Sequence, residues 1–275
     1  MHSETQCVYV SEGWMMYAGP GGFDRSEMVA PCLILSRPGT CLRCEMDDGR
    51  LIDSAGLLHA SGRWSSAAGD GLVIIYFDPL SAEGVGIQRS LGEQVMALWP
   101  VPGMLPWNDL LFDNLCSGNI PRSAVVDWME SCQTEIRGML SPVGVDERLL
   151  RVASTIASDT EGRLSLKPLS RIANLSPDHL RQLFKQQAGM TLSKYKAWRQ
   201  LHSMVCYVCE ATEGLLSQGT GEAIHFAGFY DDSHGYRALS HYFGSRKSLS
   251  SVSLHTVSCL AKSGQYDSGR FRSCG

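Results

Sequence analysis

The sequence predicts an α+β chain: a small N-terminal β-barrel with helices, then an all-α part in which two short helix pairs are joined by a long helix. Three observations carry this. Short apolar runs with turn residues between them fill residues 8–80. From about residue 81 the apolar residues recur at helical spacing instead. One stretch of the helical half occurs twice, at an offset of 55 positions.

The strand-forming runs are Val8-Tyr9-Val10, Met15-Met16-Tyr17, Cys32-Leu33-Ile34-Leu35 and Leu72-Val73-Ile74-Ile75-Tyr76-Phe77. Turn residues punctuate them at Gly19-Pro20-Gly21-Gly22, Arg37-Pro38-Gly39, Asp47-Asp48-Gly49 and Ala68-Gly69-Asp70-Gly71. Short strands at this spacing predict a small barrel or a sandwich.

Pro100, Pro102 and Pro106 separate two helical pieces that follow. In the second piece Val125, Met129, Cys132, Ile136 and Met139 form one apolar seam. Such a seam packs against the chain's own sheet or against a second copy in a helix pair. Ser141-Pro142-Val143-Gly144 reads as a linker. The predicted organisation is therefore a domain over 1–140, a linker over 141–145, a helical domain over 146–252 and a disordered tail over 253–275. A helix is expected over 146–158 and the long one over roughly 192–210.

The repeated stretch begins Ser176-Pro177-Asp178-His179-Leu180-Arg181-Gln182-Leu183-Phe184 and ends at Gly189; its second copy runs from Asp231 to Gly244. Ser176 is an N-cap residue, and Pro177 suits the first helical position, where no N–H is needed. Leu180, Leu183 and Phe184 share a face that must be buried. Asp178, Arg181, Gln182 and Lys185 share the opposite face. Leu166, Leu169 and Ile172-Ala173 form a shorter helix before it, with Asn174-Leu175 as the turn. A short helix, a tight turn and a second helix with one polar face is the helix-turn-helix plan. On that face Arg pairs with guanine and Gln with adenine in a major groove. Lys185, Lys194 and Lys196 suit phosphates, which position without specifying. In the second copy Asp231 is the cap, and Ser233, Tyr236 and Arg237 point outward. Glu222 to Ala227 form the preceding helix.

Charge agrees with a polyanion partner for one half only. Residues 1–140 hold eight Arg and no Lys against 17 Asp plus Glu, whereas residues 164–250 hold ten Lys plus Arg against six Asp plus Glu. Hydrophobic residues make up 44% and charged residues 19% of the chain, as in an ordinary soluble protein. No apolar run has the length of a membrane span, and the first residues lack a signal-peptide pattern, so a cytoplasmic protein is expected.

The segment from about 146 to 250 resembles the DNA-binding domain of AraC/XylS-type transcriptional regulators. The resemblance rests on Leu-Ser-Pro-Asp-His-Leu-Arg-Gln-Leu-Phe-Lys (175–185) followed by Ala-Gly-Met-Thr (188–191). It rests also on Gly-Phe-Tyr-Asp-Asp-Ser-His (228–234) with Arg237 and Tyr242-Phe243-Gly244. It implies double-stranded DNA as partner. It places Asp178, Arg181 and Gln182, and in the second unit Asp232, Ser233, Tyr236 and Arg237, near bases or backbone. It further implies a homodimer, a small-molecule effector, contact with RNA polymerase, no cofactor and no enzymatic activity. The N-terminal half would be cupin-like, with Tyr17-Ala18-Gly19-Pro20-Gly21 and the stretch from Tyr76 to Gly84 as the matching pieces.

The chain departs from that family in its second unit. Gly235 stands where the family buries Leu or Phe, extra residues lie between Cys209 and Thr220, and Ser245-Arg246-Lys247-Ser248 replaces a Pro-containing turn. The first helix-turn-helix is therefore expected to be the better formed.

The residues bear on two other chemistries. Residues 1–140 contain only His2 and His59, too few for a His-based metal centre. Cys41-Leu42-Arg43-Cys44 is a C-x-x-C, the spacing of a zinc or redox pair. With Arg37-Pro38 before it, it resembles a motif of DNA-repair regulators that join a four-cysteine zinc domain to such a helix-turn-helix, and that resemblance implies the alternative of a thiol-based metal- or alkylation-sensing DNA-repair regulator. Cys206 and Cys209 fall on the long helix and read as packing. Trp14, Trp64, Tyr76 and Phe77 line either an effector pocket or the core.

Overall fold

The computed structural model describes residues 6–91, 96–98, 106–141, 144–159, 164–212, 220–243 and 253–258. The first nine strands are β1 (Cys7–Ser11), β2 (Trp14–Pro20), β3 (Phe23–Glu27), β4 (Cys32–Ser36), β5 (Leu42–Met46), β6 (Leu51–Ser54), β7 (Gly56–His59), β8 (Trp64–Ala68) and β9 (Gly71–Phe77). Then come α1 (Ala82–Leu91), β10 (Met96–Leu98), α2 (Asp109–Ser117) and α3 (Arg122–Met139). The helical half holds α4 (Glu147–Ala157), α5 (Leu166–Ile172), α6 (Pro177–Ala188), α7 (Leu192–Thr212), α8 (Thr220–Phe226) and α9 (Asp232–Phe243). A further strand, β11 (Ser253–Ser258), follows.

Among the described residues the strands make two sheets and no closed barrel. One has the order β10-β7-β4-β9-β2-β1-β11 and the other β3-β8-β5-β6. The physical reason lies in the strands themselves. The central strands β4 and β9 are buried at every position, so their sheet has two apolar faces to cover. One face, with Met15, Tyr17, Ile34, Ile74 and Tyr76, meets Leu42 and Cys44 of the smaller sheet and the helical half. The other, with Tyr9, Trp14, Leu33, Val73 and Phe77, is covered by α1, α2 and α3.

The seam on α3 belongs to this second core. Val125, Met129, Cys132 and Ile136 are buried against the sheet. Only Met139, the last of the five, is exposed. The seam is thus occupied within one chain and leaves no stripe for a helix pair between copies.

Among the described residues the core of the helical half is continuous with that of the sandwich. Leu149, Leu180, Phe184, Trp198 and Leu201 join one cluster with Val10, Ile34 and Tyr76 of the sandwich. Trp198, wholly buried, sits beside Tyr76 with ring centroids 6.4 Å apart.

The tail expected to be disordered contains β11. This strand runs parallel to β1, with Cys7 opposite Ser253 and Tyr9 opposite His255. The Tyr9 and His255 rings stack at 5.2 Å. A Ser-rich strand gives little periodic signal; here it covers an edge whose residues are all buried and which would otherwise be open for pairing.

Candidate nucleic-acid interface

The first helix pair forms as its caps dictate. The residue after α5, Ala173, ends that helix, and Asn174 takes φ 53°, the left-handed region that Asn tolerates better than most residues. The Ser176 hydroxyl then accepts the His179 N–H at 3.2 Å and starts α6. Gly189 ends it at φ 68°, its N–H donating to the Lys185 carbonyl. A side chain there would collide with Gln88, so only Gly fits on both counts.

Leu180, Phe184 and Ala188 are buried, while Asp178, Arg181, Gln182 and Lys185 are exposed along the opposite face of α6. Arg181 Nη1 donates to Asp178 Oδ1 at 2.7 Å. Both side chains are largely in water, so this pair is weak and releases the guanidinium readily.

The second pair is fixed by the same devices. Gly228 turns at φ 78°, and its carbonyl accepts from Gln200 Nε2 of α7 at 2.8 Å. Asp231 Oδ1 accepts the His234 N–H at 2.6 Å and caps α9. Asp232, Ser233, Tyr236 and Arg237 are exposed. Asp232 also lies 3.4 Å from His225 Nε2.

Gly235 is not the defect its sequence suggests. A Cβ at this position would fall 2.6 Å from Ile224 Cγ2, and Ile224 is completely buried. The branched side chain of α8 fills the space that a Leu or Phe of α9 would take. The segments 213–219 and 244–252, which hold the other two departures, lie outside the described residues.

One exposed residue escapes the reading by repeat. The left-handed turn residues Asn174 and Gly228 are 54 positions apart, but the caps Ser176 and Asp231 are 55 apart. The second turn therefore holds one extra residue, and it is Tyr230, 89% exposed beside a buried Phe229. The change of offset was visible in the sequence.

The lysines divide. Lys185 is exposed. Lys194 instead makes an ion pair with Glu27 of β3, and Lys196 Nζ donates to the Leu164 carbonyl at 2.8 Å. In this arrangement neither is a free phosphate ligand.

Contacts between the halves continue along α7. Arg199 Nη1 donates to Asp78 Oδ2 at 3.0 Å, and the Tyr195 hydroxyl approaches the same oxygen at 3.4 Å. The other Asp78 oxygen accepts the Leu80 N–H at 2.8 Å. His202 Nε2 lies 2.6 Å from the Ser11 carbonyl, which can only accept, so the ring proton sits on Nε2. Burial, with Arg199 nearby, lowers the His202 pKa to about 4.

Both halves together resemble solved structures. ToxT from Vibrio cholerae O395 matches at a TM-score of 0.51 with 9% identity, over 88% of this chain and 93% of that one. An apo form of a ToxT variant from Vibrio cholerae strain SCE256 matches at 0.56 with 8% identity, over 86% and 96%. The chain shares the fold of ToxT. No protein-family model matches the sequence, and no curated protein does. The ToxT-like fold thus spans both halves of the chain at an identity that transfers no individual residue.

The thiol chemistry finds no site at Cys41 and Cys44. In an extended strand, residues three apart point to opposite faces. Cys41 is accordingly exposed, while Cys44 is buried inside the sandwich, where burial pushes its thiol up to about 12. The two cannot share a metal. His59 is wholly buried, with Nδ1 2.7 Å from the Ala60 carbonyl, and burial lowers its pKa to about 4. Trp14, Tyr76 and Phe77 are core residues; Trp64 is half-buried. Among the described residues no helix is long and apolar enough to cross a membrane.

Proposed function

We propose that this chain is a sequence-specific DNA-binding transcription regulator whose DNA affinity responds to a small-molecule effector. The observation that carries the reading is the pair of capped helix-turn-helix units, each with a polar face left in solvent. Arg181 and Gln182 on α6 are the principal base-reading side chains. Ser233, Tyr236 and Arg237 on α9 read a second groove face, with Asp178 and Asp232 beside them. Lys185 takes phosphate.

The length of α7 supports two-site docking. Its 21 residues span about 30 Å at 1.5 Å per residue, close to the ~34 Å between successive major-groove faces.

ToxT has been crystallised bound to (E)-4-(8-methylnaphthalen-1-yl)but-3-enoic acid. Apolar organic acids are therefore the first effector class to test here. Dimerisation, contact with RNA polymerase and a cytoplasmic location belong to the same reading; a dimer would use a surface other than the α3 seam. Catalysis forms no part of it.

The test is selection of bound duplexes from random DNA by the full chain, with and without candidate effectors. A reproducible motif that is lost in an Arg181→Ala/Arg237→Ala variant supports the reading. Recovery of no motif under any condition overturns it.

A further inference from the structure

The contact between Lys194 and Glu27 joins two observations that point in opposite directions. Lys194 stands in the first turn of α7, directly after the recognition helix α6, where cation and helix dipole together favour a phosphate. In the free chain that place is taken by a carboxylate. Glu27 is almost wholly buried, whereas the Lys194 side chain is 44% exposed. An ammonium group reads a carboxylate oxygen and a phosphate oxygen alike.

The strand that carries Glu27 touches the joining helix α7 and the second DNA-reading unit. β3 meets the start of α7 through the ion pair, and it also lies against α9, the second recognition helix. Further along α7, Asp78 engages Arg199 and Tyr195, and the Ser11 carbonyl engages His202. Lys194, Tyr195, Arg199 and His202 all lie on one side of α7. That side is thus anchored to the sandwich at three levels. The anchoring half is also the acidic one, so a duplex approaching Lys194 meets repulsion from the same surface.

We infer that Glu27 is an internal phosphate mimic: it competes with the DNA backbone for Lys194, and with the Asp78 anchor it holds the free chain in a DNA-excluding arrangement. This rests on the DNA-binding reading above and adds its regulation. A duplex that takes Lys194 removes one anchor and loosens β3 from α7. An effector that weakens the α7 contact with the sandwich would raise DNA affinity by the same linkage.

The experiment compares the full-length wild type with Glu27→Gln, Asp78→Asn, Lys194→Ala and the Glu27→Gln/Lys194→Ala double variant. DNA affinity is measured on the duplex selected by the wild type and, should that selection return nothing, on the duplex pool itself. Hydrogen exchange of β3 and the first turn of α7 is measured without DNA. Circular dichroism confirms that each variant is folded, and Asp78→Asn loosens the same contact from a different atom.

Glu27→Gln is expected to bind about fivefold tighter or more, within the usual range of site-to-site coupling. That gain should vanish in the Lys194→Ala background, because the two residues act through one another. Exchange should rise in both Glu27→Gln and Asp78→Asn. Wild-type binding with an equal or weaker Glu27→Gln overturns the inference and leaves the DNA-binding reading standing. So does a gain that persists without Lys194. Binding by no variant on any duplex overturns the DNA-binding reading, and the competition falls with it.

Discussion

Ile224 occupies the space that a side chain at position 235 would need, with its methyl carbons 2.6–3.0 Å from where a Cβ of Gly235 would stand. The helices α8 and α9 therefore exchange roles at their contact: the bulk comes from α8 and the gap from α9. Restoring the family's large residue in α9 should harm the fold. Gly235→Leu is expected to lose about 1–3 kcal/mol by overpacking, more than Leu's better helix propensity returns. Chemical denaturation measures it, and the added change Ile224→Ala should recover part of the loss. A stabilised Gly235→Leu single variant would show that this packing is wrong.

Arg181→Ala and Gln182→Ala should relax sequence preference at one part of the site, by about 1–3 kcal/mol per lost base contact. Lys185→Ala should instead weaken all duplexes alike and flatten the salt dependence. Binding-site selection followed by titration at two salt concentrations separates the effects. An unchanged motif with Arg181→Ala rules out its major-groove role.

Tyr230 exposes a whole aromatic ring beside the cap of α9. Tyr230→Ala should weaken binding to selected and unselected duplexes by a similar factor, as a sugar–phosphate contact does. Nitration of Tyr230 in the free chain, with protection on a bound duplex, gives an independent readout. Equal modification with and without DNA would place Tyr230 away from the duplex.

Acid should loosen the chain in a definable window. His202 and His59 each have a folded pKa near 4, below the ordinary value of 6.5, chiefly through burial. The unfolded chain thus binds more protons than the folded one between those values, and stability rises with pH there. Above about 6.5 both states are neutral and the histidines contribute no slope. Thermal unfolding at pH 7, 6 and 5 should show a progressive fall, smaller in a His202→Gln variant. A pH-independent transition across that window would contradict the burial of both rings.

Much of the helical half was legible because its signals are local. Ser176, Pro177 and Gly189 mark the ends of α6 by their own chemistry, and Leu180 and Phe184 declare the buried face by spacing alone. The partners of Lys194 and Arg199 were not legible. Glu27 and Asp78 lie more than a hundred residues upstream in sequence, and nothing in a lysine's neighbours announces a distant carboxylate. Gly235 misled for a related reason, since the atom group that compensates for it sits on the preceding helix. In the N-terminal half the strands were readable, but barrel and sandwich share one strand pattern. Burial of both faces of β4 and β9 decides between them, and that depends on where α1–α3 pack.

The pairing of β11 with β1 has a consequence for how the molecule is made. The strand β1 leaves the ribosome well before its partner, since Cys7 finds Ser253 only once the helical half between them has been synthesised. Until then β1 has a partner on one side alone, and its outer backbone groups invite any passing strand. Maturation of the sandwich is in this way coupled to completion of the helical half. A chain interrupted in translation before residue 253 would carry an unfinished sheet edge, open to pairing with other chains.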